Sequence, residues 1–374
     1  MDKVASQKII KAMKKVLCLI DTLGIGGAER QMMGLAQLLS KRGYKVDLAT
    51  YHKHSYFDDP TQWQGVECIS IPVEGSKWTK LRAIKRLIKK RGGYDCVITY
   101  KGGPNAIGCL LKLFGGRFKL IVSERITNSE VGNKRTQFEL YRFADIVVPN
   151  AYSQQLFMSS HFPWMTKKIV TISNFTDTDT FRPVEVEPHP EIRILTTARV
   201  ARQKNVLRYL DAVALFKEKA KGIKFHFDWY GEVQSTELDY GEMVSRKVKD
   251  LHLEDSITFH NGTNDIAGKY QQCDVFCLPS NFEGYPNSVC EAMSSGKPVV
   301  ASRVCDIPYI VRENENGLMF NPEDINDIAE KLLAVVSMTK DRRDAWGRKG
   351  REIAEKLFSR DVFVDKYIQL IEKK

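Results

Sequence analysis

Two doubly wound, Rossmann-like parallel-sheet domains in tandem are the fold class that this sequence predicts. Three observations predict it. The chain has 374 residues, too long for one ordinary core and matched to two α/β domains of roughly 150–180 residues each. Compact apolar strand-like runs alternate with helix-period stretches from end to end, the pattern of a parallel sheet covered on both faces. The alternation is interrupted once, at residues 174–190 (NFTDTDTFRPVEVEPHP), a proline-rich stretch without periodicity that reads as a linker.

In order along the chain, residues 15–21 read as a first buried strand and residues 26–40 as a helix, with Met32, Leu35, Leu38 and Leu39 on one side. Strands are expected at 45–50, 96–100, 119–123, 146–149 and 169–173. Beyond the linker, strands are expected at 192–197, 224–230, 256–260, 275–279 and 298–302. Helices are expected at 204–220, 243–250, 265–272 and 287–295. This predicts a first domain over 1–183, a second over 184–357, and a terminal segment, 358–374, that crosses back onto the first. In such sheets ligands bind beyond the carboxyl ends of the strands, which places the expected site in the cleft between the domains.

Composition excludes several classes. At 43% hydrophobic and 28% charged, the chain is neither a disordered tail nor a membrane-embedded protein. No apolar run reaches the ~18–20 residues of a membrane span. The start, MDKVASQKIIKAMKK, lacks the apolar stretch of a signal peptide, and predicts a cytoplasmic protein. Eight cysteines form no Cys-x-x-Cys and read as reduced, buried thiols. Seven histidines show no metal-ligand spacing; His52 and His54 read as a solvated pair.

Charge is uneven. Residues 1–185 carry 29 Lys and Arg against 16 Asp and Glu, and the remainder 28 against 30. A basic first half implies a polyanionic partner. Residues 78–91 (WTKLRAIKRLIKKR) concentrate it: Trp78, Leu81, Ile84, Leu87 and Ile88 recur at helical spacing, with Lys80, Arg82, Lys85, Arg86, Lys89, Lys90 and Arg91 between them. Such a helix packs its apolar stripe on a sheet and offers its cations to an anionic membrane surface. A nucleic-acid partner is disfavoured: basic residues are not interleaved with exposed aromatics, and no reader motif is present.

Three turns carry chemistry. Leu23–Arg30 (LGIGGAER) follows the first strand and opens a helix; its glycines let backbone N–H groups approach an anion at the helix N-terminus, although a tight turn needs glycine equally. Arg199 and Lys204, in ARVARQKN, bracket the first turn of the second domain, where two cations can grip a diphosphate. In PSNFEGYPNSVCEAM, Glu283 lies at a strand end and Glu291 eight residues on, inside the next helix. Carboxylates only accept hydrogen bonds and so suit vicinal sugar hydroxyls. Between them, the N–H groups of Asn287 and Ser288 are expected to meet a phosphate.

GGAER, Arg199-x4-Lys204 and Glu283-x7-Glu291, in this order, resemble glycosyltransferase family 4, retaining enzymes of the GT-B fold. The resemblance spans nearly the whole chain. It implies that Arg199 and Lys204 bind the donor diphosphate, that Glu283 contacts the donor sugar, and that Glu291 holds the ribose. Gly231, Gly284, Tyr285, Asn287 and Ser288 would complete the donor site, and Gly26 and Gly27 would face the diphosphate and acceptor from the first domain. It implies a metal-independent transfer without a cofactor, from a nucleotide-sugar (a uridine diphosphate sugar, with guanosine diphosphate mannose behind it) to a saccharide or lipid-linked acceptor in surface-polysaccharide assembly. The enzyme would be cytoplasmic or peripheral on the inner membrane face. Departures are Gly231-Glu232-Val233-Gln234 for the usual Gly-x-Gly-Pro, Lys204-Asn205 for Lys-Gly, and 304–309 (VCDIPY) for Gly-Gly-x-Pro-Glu. Where members often place a histidine, Glu124 and Arg125 stand as polar contacts. Competing readings are an epimerase or phosphorylase of the same architecture, and a basic nucleic-acid-binding protein.

Overall fold

The computed structural model of the chain describes residues 13–24, 26–52, 65–125, 130–187 and 189–373. Ile25, His54 and the first twelve residues of the sequence lie outside the described residues. Two compact units emerge: one of the described residues up to Asn150, Gln154–Ile172 and the chain from Val364 on, the other of Ala151–Ser153 and Ser173–Phe363. The division falls at 172/173, ahead of the expected 183/184. Residues 174–190 belong to the second unit, where Asp177 accepts hydrogen bonds from Thr180 Oγ1 at 2.7 Å and Arg360 Nη2 at 2.7 Å. Asp177-Thr178-Asp179 is thus turn chemistry.

The first unit contains β1 (Lys15–Leu19), α1 (Gly27–Lys41), β2 (Lys45–Thr50), β3 (Val66–Ser70), α2 (Lys77–Lys90), β4 (Cys96–Tyr100), α3 (Gly102–Leu113), β5 (Lys119–Glu124), α4 (Arg135–Leu140), β6 (Ile146–Pro149) and most of α5 (Tyr152–His161). Its parallel sheet runs β3-β2-β1-β4-β5-β6. The central strands are buried on both faces, as β4 is at every residue, so they read as continuous apolar runs. β3 escapes sequence reading because it is an edge strand, VECIS, with three of its five residues exposed. The strand expected at 169–173 reduces to one bridge, Val147 to Ile169. Backbone hydrogen bonds to β6 nonetheless continue, from Val170 N to Val147 O at 2.9 Å and from Ile172 N to Pro149 O at 3.1 Å.

The second unit contains β7 (Ile192–Thr197), α6 (Val206–Lys219), β8 (Phe225–Tyr230), α7 (Leu238–Asp250), β9 (Ile257–His260), α8 (Ile266–Gln272), β10 (Val275–Leu278), α9 (Asn287–Ser294), β11 (Val299–Ser302), α10 (Ile307–Ile310), β12 (Gly317–Phe320), α11 (Ile325–Val336) and α12 (Lys340–Phe358). A last helix, α13 (Arg360–Glu372), follows. The sheet order is β12-β11-β10-β7-β8-β9, again parallel. Side-chain caps start three of the helices. Asp265 accepts from Gly268 N at 3.1 Å, Asp324 from Asn326 N at 2.9 Å, and Thr339 from Arg342 N at 3.4 Å, each satisfying an orphan N–H.

From Val364 on, α13 packs on the first unit. Tyr367 OH lies 2.9 Å from Tyr100 OH and accepts from Arg125 Nη2 at 2.7 Å, while the Arg125 guanidinium sits 3.8 Å over the Tyr100 ring. Lys14 Nζ reaches Glu372 Oε2 at 3.0 Å. Tyr100 and Tyr367 are fully buried, so their hydroxyls depend on each other. Tyr367→Phe is expected to cost about 1–3 kcal/mol, the penalty for stranding buried polar groups. Amide hydrogen exchange should show faster exchange in α13 and no change in β7–β12; unchanged α13 protection would refute the anchoring role.

Candidate active site

Each sheet adds strands first to one side of its opening strand and then to the other. The reversal falls between β1 and β4 in the first unit and between β7 and β10 in the second. At such a point neighbouring turns diverge and leave a crevice at the carboxyl ends. Most of the expected site residues stand at these two reversals.

In the second unit, Arg199 is exposed in the turn after β7. Lys204 follows in a short 3-10 turn (Arg202–Lys204), and Lys204 Nζ donates to Glu283 Oε1 at 2.6 Å, the side chains 13% and 8% exposed. The two turns are laced by Asn281 N to Gln203 O at 2.9 Å, Asn281 Nδ2 to Arg202 O at 3.1 Å and Gln203 Nε2 to Phe282 O at 2.9 Å. Lys204 therefore bridges the reversal, and a bound phosphate would share its ammonium with Glu283. Asn205 takes φ 60°, ψ 31°, the left-handed conformation that asparagine tolerates, so it can stand where the family resemblance leads one to expect glycine. Asn205 Nδ2 also bonds Pro322 O at 2.8 Å.

Gly231 closes β8 at φ 152°, and a Cβ there would collide with the Ala198 carbonyl oxygen. The segment after it is zipped onto the Arg199 turn: Val200 N donates to Glu232 O at 2.9 Å, and Gln234 N to Val200 O at 3.1 Å. Glycine is thus needed at 231, while the residues that follow act through their backbone.

The Glu283–Glu291 segment needs two corrections. The Asn287 N–H already donates to Tyr285 O at 2.9 Å, and Val289 N to Pro286 O at 3.0 Å. Asn287 Oδ1 accepts from Asn174 Nδ2 at 2.9 Å. Of the pair expected to meet phosphate, the Asn287 N–H is thus already engaged. Tyr285 is buried in the core of the unit, its hydroxyl 3.6 Å from Cys290 Sγ, so its ring offers nothing to a donor. Gly284 is half-buried between them.

Sequence reading missed two side chains here. Cys305, at φ 48°, accepts the Glu283 N–H on Sγ at 3.4 Å; burial raises its pKa, which keeps it a neutral thiol. Tyr270, wholly buried, donates to Glu291 Oε2 at 3.0 Å. Neither carries a local motif; each is recruited across strands. A separate cavity of about 720 Å³ opens at the amino ends of β10 and β11, lined by Asp274, Ser295, Lys297 and Pro298 among others. It touches none of the site residues.

In the first unit, Gly26 caps α1 in extended conformation, and a Cβ there would collide with the Glu29 carboxylate. Gly27 is exposed as the first helical residue. Lys101, at the end of β4 with φ 73°, donates to Asp21 Oδ1 at 3.0 Å and to Glu29 Oε1. Burial opposes its charge, but hydrogen bonds to Glu29 and Asp21 outweigh that and raise its pKa. The N-terminus of α1 thus already holds a carboxylate, and the two carboxylates exceed the one ammonium. This reversal suits hydroxyls better than the second phosphate that its glycines suggest.

Glu124 is buried and accepts from Tyr141 OH at 2.9 Å and Gln137 Nε2 at 3.1 Å. Asn105 extends this network, donating to Ser123 O at 2.9 Å and to Tyr141 OH at 3.0 Å. Arg125 is spent on Tyr100 and Tyr367, as described above. Glu124 is therefore a rigidly held carboxylate and Arg125 an anchor. No group of three or more potential metal ligands occurs among the described residues.

Sheet order, reversal points and this set of cations and carboxylates define a GT-B glycosyltransferase. Residues 25–180 match Glycosyltransferase Family 4 and residues 177–353 match Glycosyl transferases group 1; the chain is a glycosyltransferase that carries both domains. It is 26% identical over 349 residues to the N-acetylgalactosamine-N,N'-diacetylbacillosaminyl-diphospho-undecaprenol 4-alpha-N-acetylgalactosaminyltransferase of Campylobacter jejuni, spanning 88% of this chain and 92% of that one. A Rickettsia africae glycosyltransferase superposes with TM-score 0.85 at 17% identity, over 97% of this chain and 98% of that one. Anabaena HepE in complex with UDP and glucose superposes with TM-score 0.78 at 18% identity, over 96% and 100%.

The Lys204–Glu283 pair is expected to behave as a buried one. Lys204→Met leaves an uncompensated carboxylate and should cost about 3–5 kcal/mol. The double variant Lys204→Met/Glu283→Gln should recover most of that loss in calorimetric unfolding. Equal destabilisation of the single and double variants would show that solvent screens the pair.

Proposed function

We propose that this chain transfers a sugar, with retention, from a nucleoside diphosphate donor of the uridine class to a saccharide carried on a lipid diphosphate, in assembly of a surface polysaccharide at the cytoplasmic membrane face. The observation that carries the reading is the Lys204–Glu283 pair across the reversal of the second sheet, with Arg199 exposed in the same turn as Lys204. In this reading Arg199 and Lys204 hold the diphosphate, Glu283 meets the donor sugar and Glu291 the ribose. The relative from Campylobacter acts on a diphospho-undecaprenol saccharide by its name, and Anabaena HepE binds UDP and glucose.

The step balances without an enzyme nucleophile. The bond from the anomeric carbon to the diphosphate oxygen breaks as the acceptor oxygen bonds to the same face. The acceptor proton passes to the departing phosphate oxygen. Arg199 and Lys204 stabilise the charge that grows there, the compensation that a divalent cation provides in other transferases. On the first unit, Asp21 and Glu29, tied by Lys101, are suited to orient acceptor hydroxyls.

Two tests follow. A nucleotide at ~100 times its dissociation constant adds about 2.7 kcal/mol to stability. UDP, rather than GDP, should raise the melting temperature of the wild type but not of Arg199→Ala or Glu291→Ala. No shift with either nucleotide would sink the donor reading.

The membrane reading has its own support. In α2, Leu81 and Ile84 are buried, while Arg82, Lys85, Arg86, Lys89 and Lys90 are exposed. At its start, Trp78 is 55% exposed and lies 6.0 Å from the Phe114 ring, itself 49% exposed beside Leu113 at 47%. An exposed apolar cluster at the start of a helix with a cationic exposed face suits an anionic bilayer, and no helix among the described residues is long and apolar enough to cross one. The protein should co-sediment with phosphatidylglycerol vesicles at low salt, and Trp78→Ser/Phe114→Ser should lower the bound fraction severalfold. Equal binding to phosphatidylcholine vesicles would refute this.

A further inference from the structure

We propose that Tyr270 is a positioning residue for donor recognition: its hydroxyl fixes the rotamer in which Glu291 reads the ribose. The inference rests on the ribose role of Glu291 proposed above. Three elements meet at this hydroxyl. Thr197 Oγ1, at the end of β7, is hydrogen-bonded to Tyr270 OH on α8, which reaches Glu291 Oε2 on α9 at 3.0 Å. The direction of the relay follows from chemistry. An ionised carboxylate has no proton to give, so the single phenol hydrogen goes to Glu291 and Thr197 donates to the phenol oxygen. Burial, with the neighbouring Glu291 charge, holds the phenol pKa well above its ordinary value, so that hydrogen is never lost near neutral pH.

The ring itself is closely packed. Tyr270 is fully buried, packed edge-on to Phe181 at 5.6 Å and tilted on Phe276 at 5.5 Å. A hydroxyl on a fixed ring is a pre-organised donor, and a hydrogen bond to a charged group is among the stronger kinds. Glu291 is only half-buried on a helix, so the side of its carboxylate away from Tyr270 stays open to a ligand. With Oε2 drawn inward, the plane of the carboxylate is set before a nucleotide arrives, and no side-chain entropy remains to be lost on binding.

The test compares UDP with 2′,3′-dideoxy-UDP by calorimetric titration, or the guanosine pair if GDP is the nucleotide bound. Losing a hydrogen bond to a charged group costs about 1.5–3 kcal/mol, roughly 10- to 150-fold, so the wild type should prefer UDP by that factor. In Tyr270→Phe the preference should shrink about tenfold, while the dissociation constant of the dideoxy nucleotide stays within about twofold. Thr197→Val, one bond further away, should shift the ratio the same way by less. If Tyr270→Phe weakens both nucleotides equally, or keeps the wild-type ratio, the tyrosine is merely structural and the inference falls. A wild type that binds UDP without preferring it over the dideoxy form overturns the ribose role of Glu291 instead, and the inference with it.

Discussion

The reversal of strand order in each sheet is the constraint from which the rest of the molecule follows. Parallel strands deliver every strand-to-helix turn to one edge, and only where consecutive crossovers go opposite ways do two turns separate. The first sheet reverses between β1 and β4, the second between β7 and β10. Both gaps are bridged by a lysine and carboxylates: Lys101 with Asp21 and Glu29, Lys204 with Glu283. A charged side chain at such a partly desolvated edge must be paired, and the pairing brings together residues that lie dozens of positions apart in the chain.

The two bridges differ in balance, and the difference matches a division of labour. In the second unit one ammonium meets one carboxylate, and Arg199 is exposed in the same turn as the lysine, so this edge is the more positive. In the first unit two carboxylates surround one ammonium, and the N-terminus of α1 is already compensated by Glu29. The first edge favours neutral hydroxyl donors. One architecture used twice thus presents opposite electrostatics.

Neutral groups add further support around the charged ones. Tyr270 holds Glu291, Cys305 receives the Glu283 N–H, and Tyr141 with Gln137 and Asn105 holds Glu124. Tyr270 and Tyr141 each donate to a carboxylate without neutralising it, which leaves the remaining lone pairs of Glu291 and Glu124 as acceptors.

The sequence by itself determined the two doubly wound units, the places of the central strands, and the positions of Arg199, Lys204, Glu283 and Glu291. These are legible because buried parallel strands are continuous apolar runs and because strand-to-helix turns keep function local in sequence. It missed β3, which is half-exposed, and at 169–173 expected a full strand where the chain keeps one bridge and two further backbone hydrogen bonds to β6. Only the tertiary structure decided that Lys204 spends its charge on Glu283, that the Asn287 N–H is already taken, that Tyr285 turns inward, and that Arg125 clamps α13. It alone produced Lys101, Cys305 and Tyr270 as members of the site. The reason is physical: each acts through a partner far along the chain, and a hydrogen bond across sheet strands leaves no trace in local periodicity or spacing.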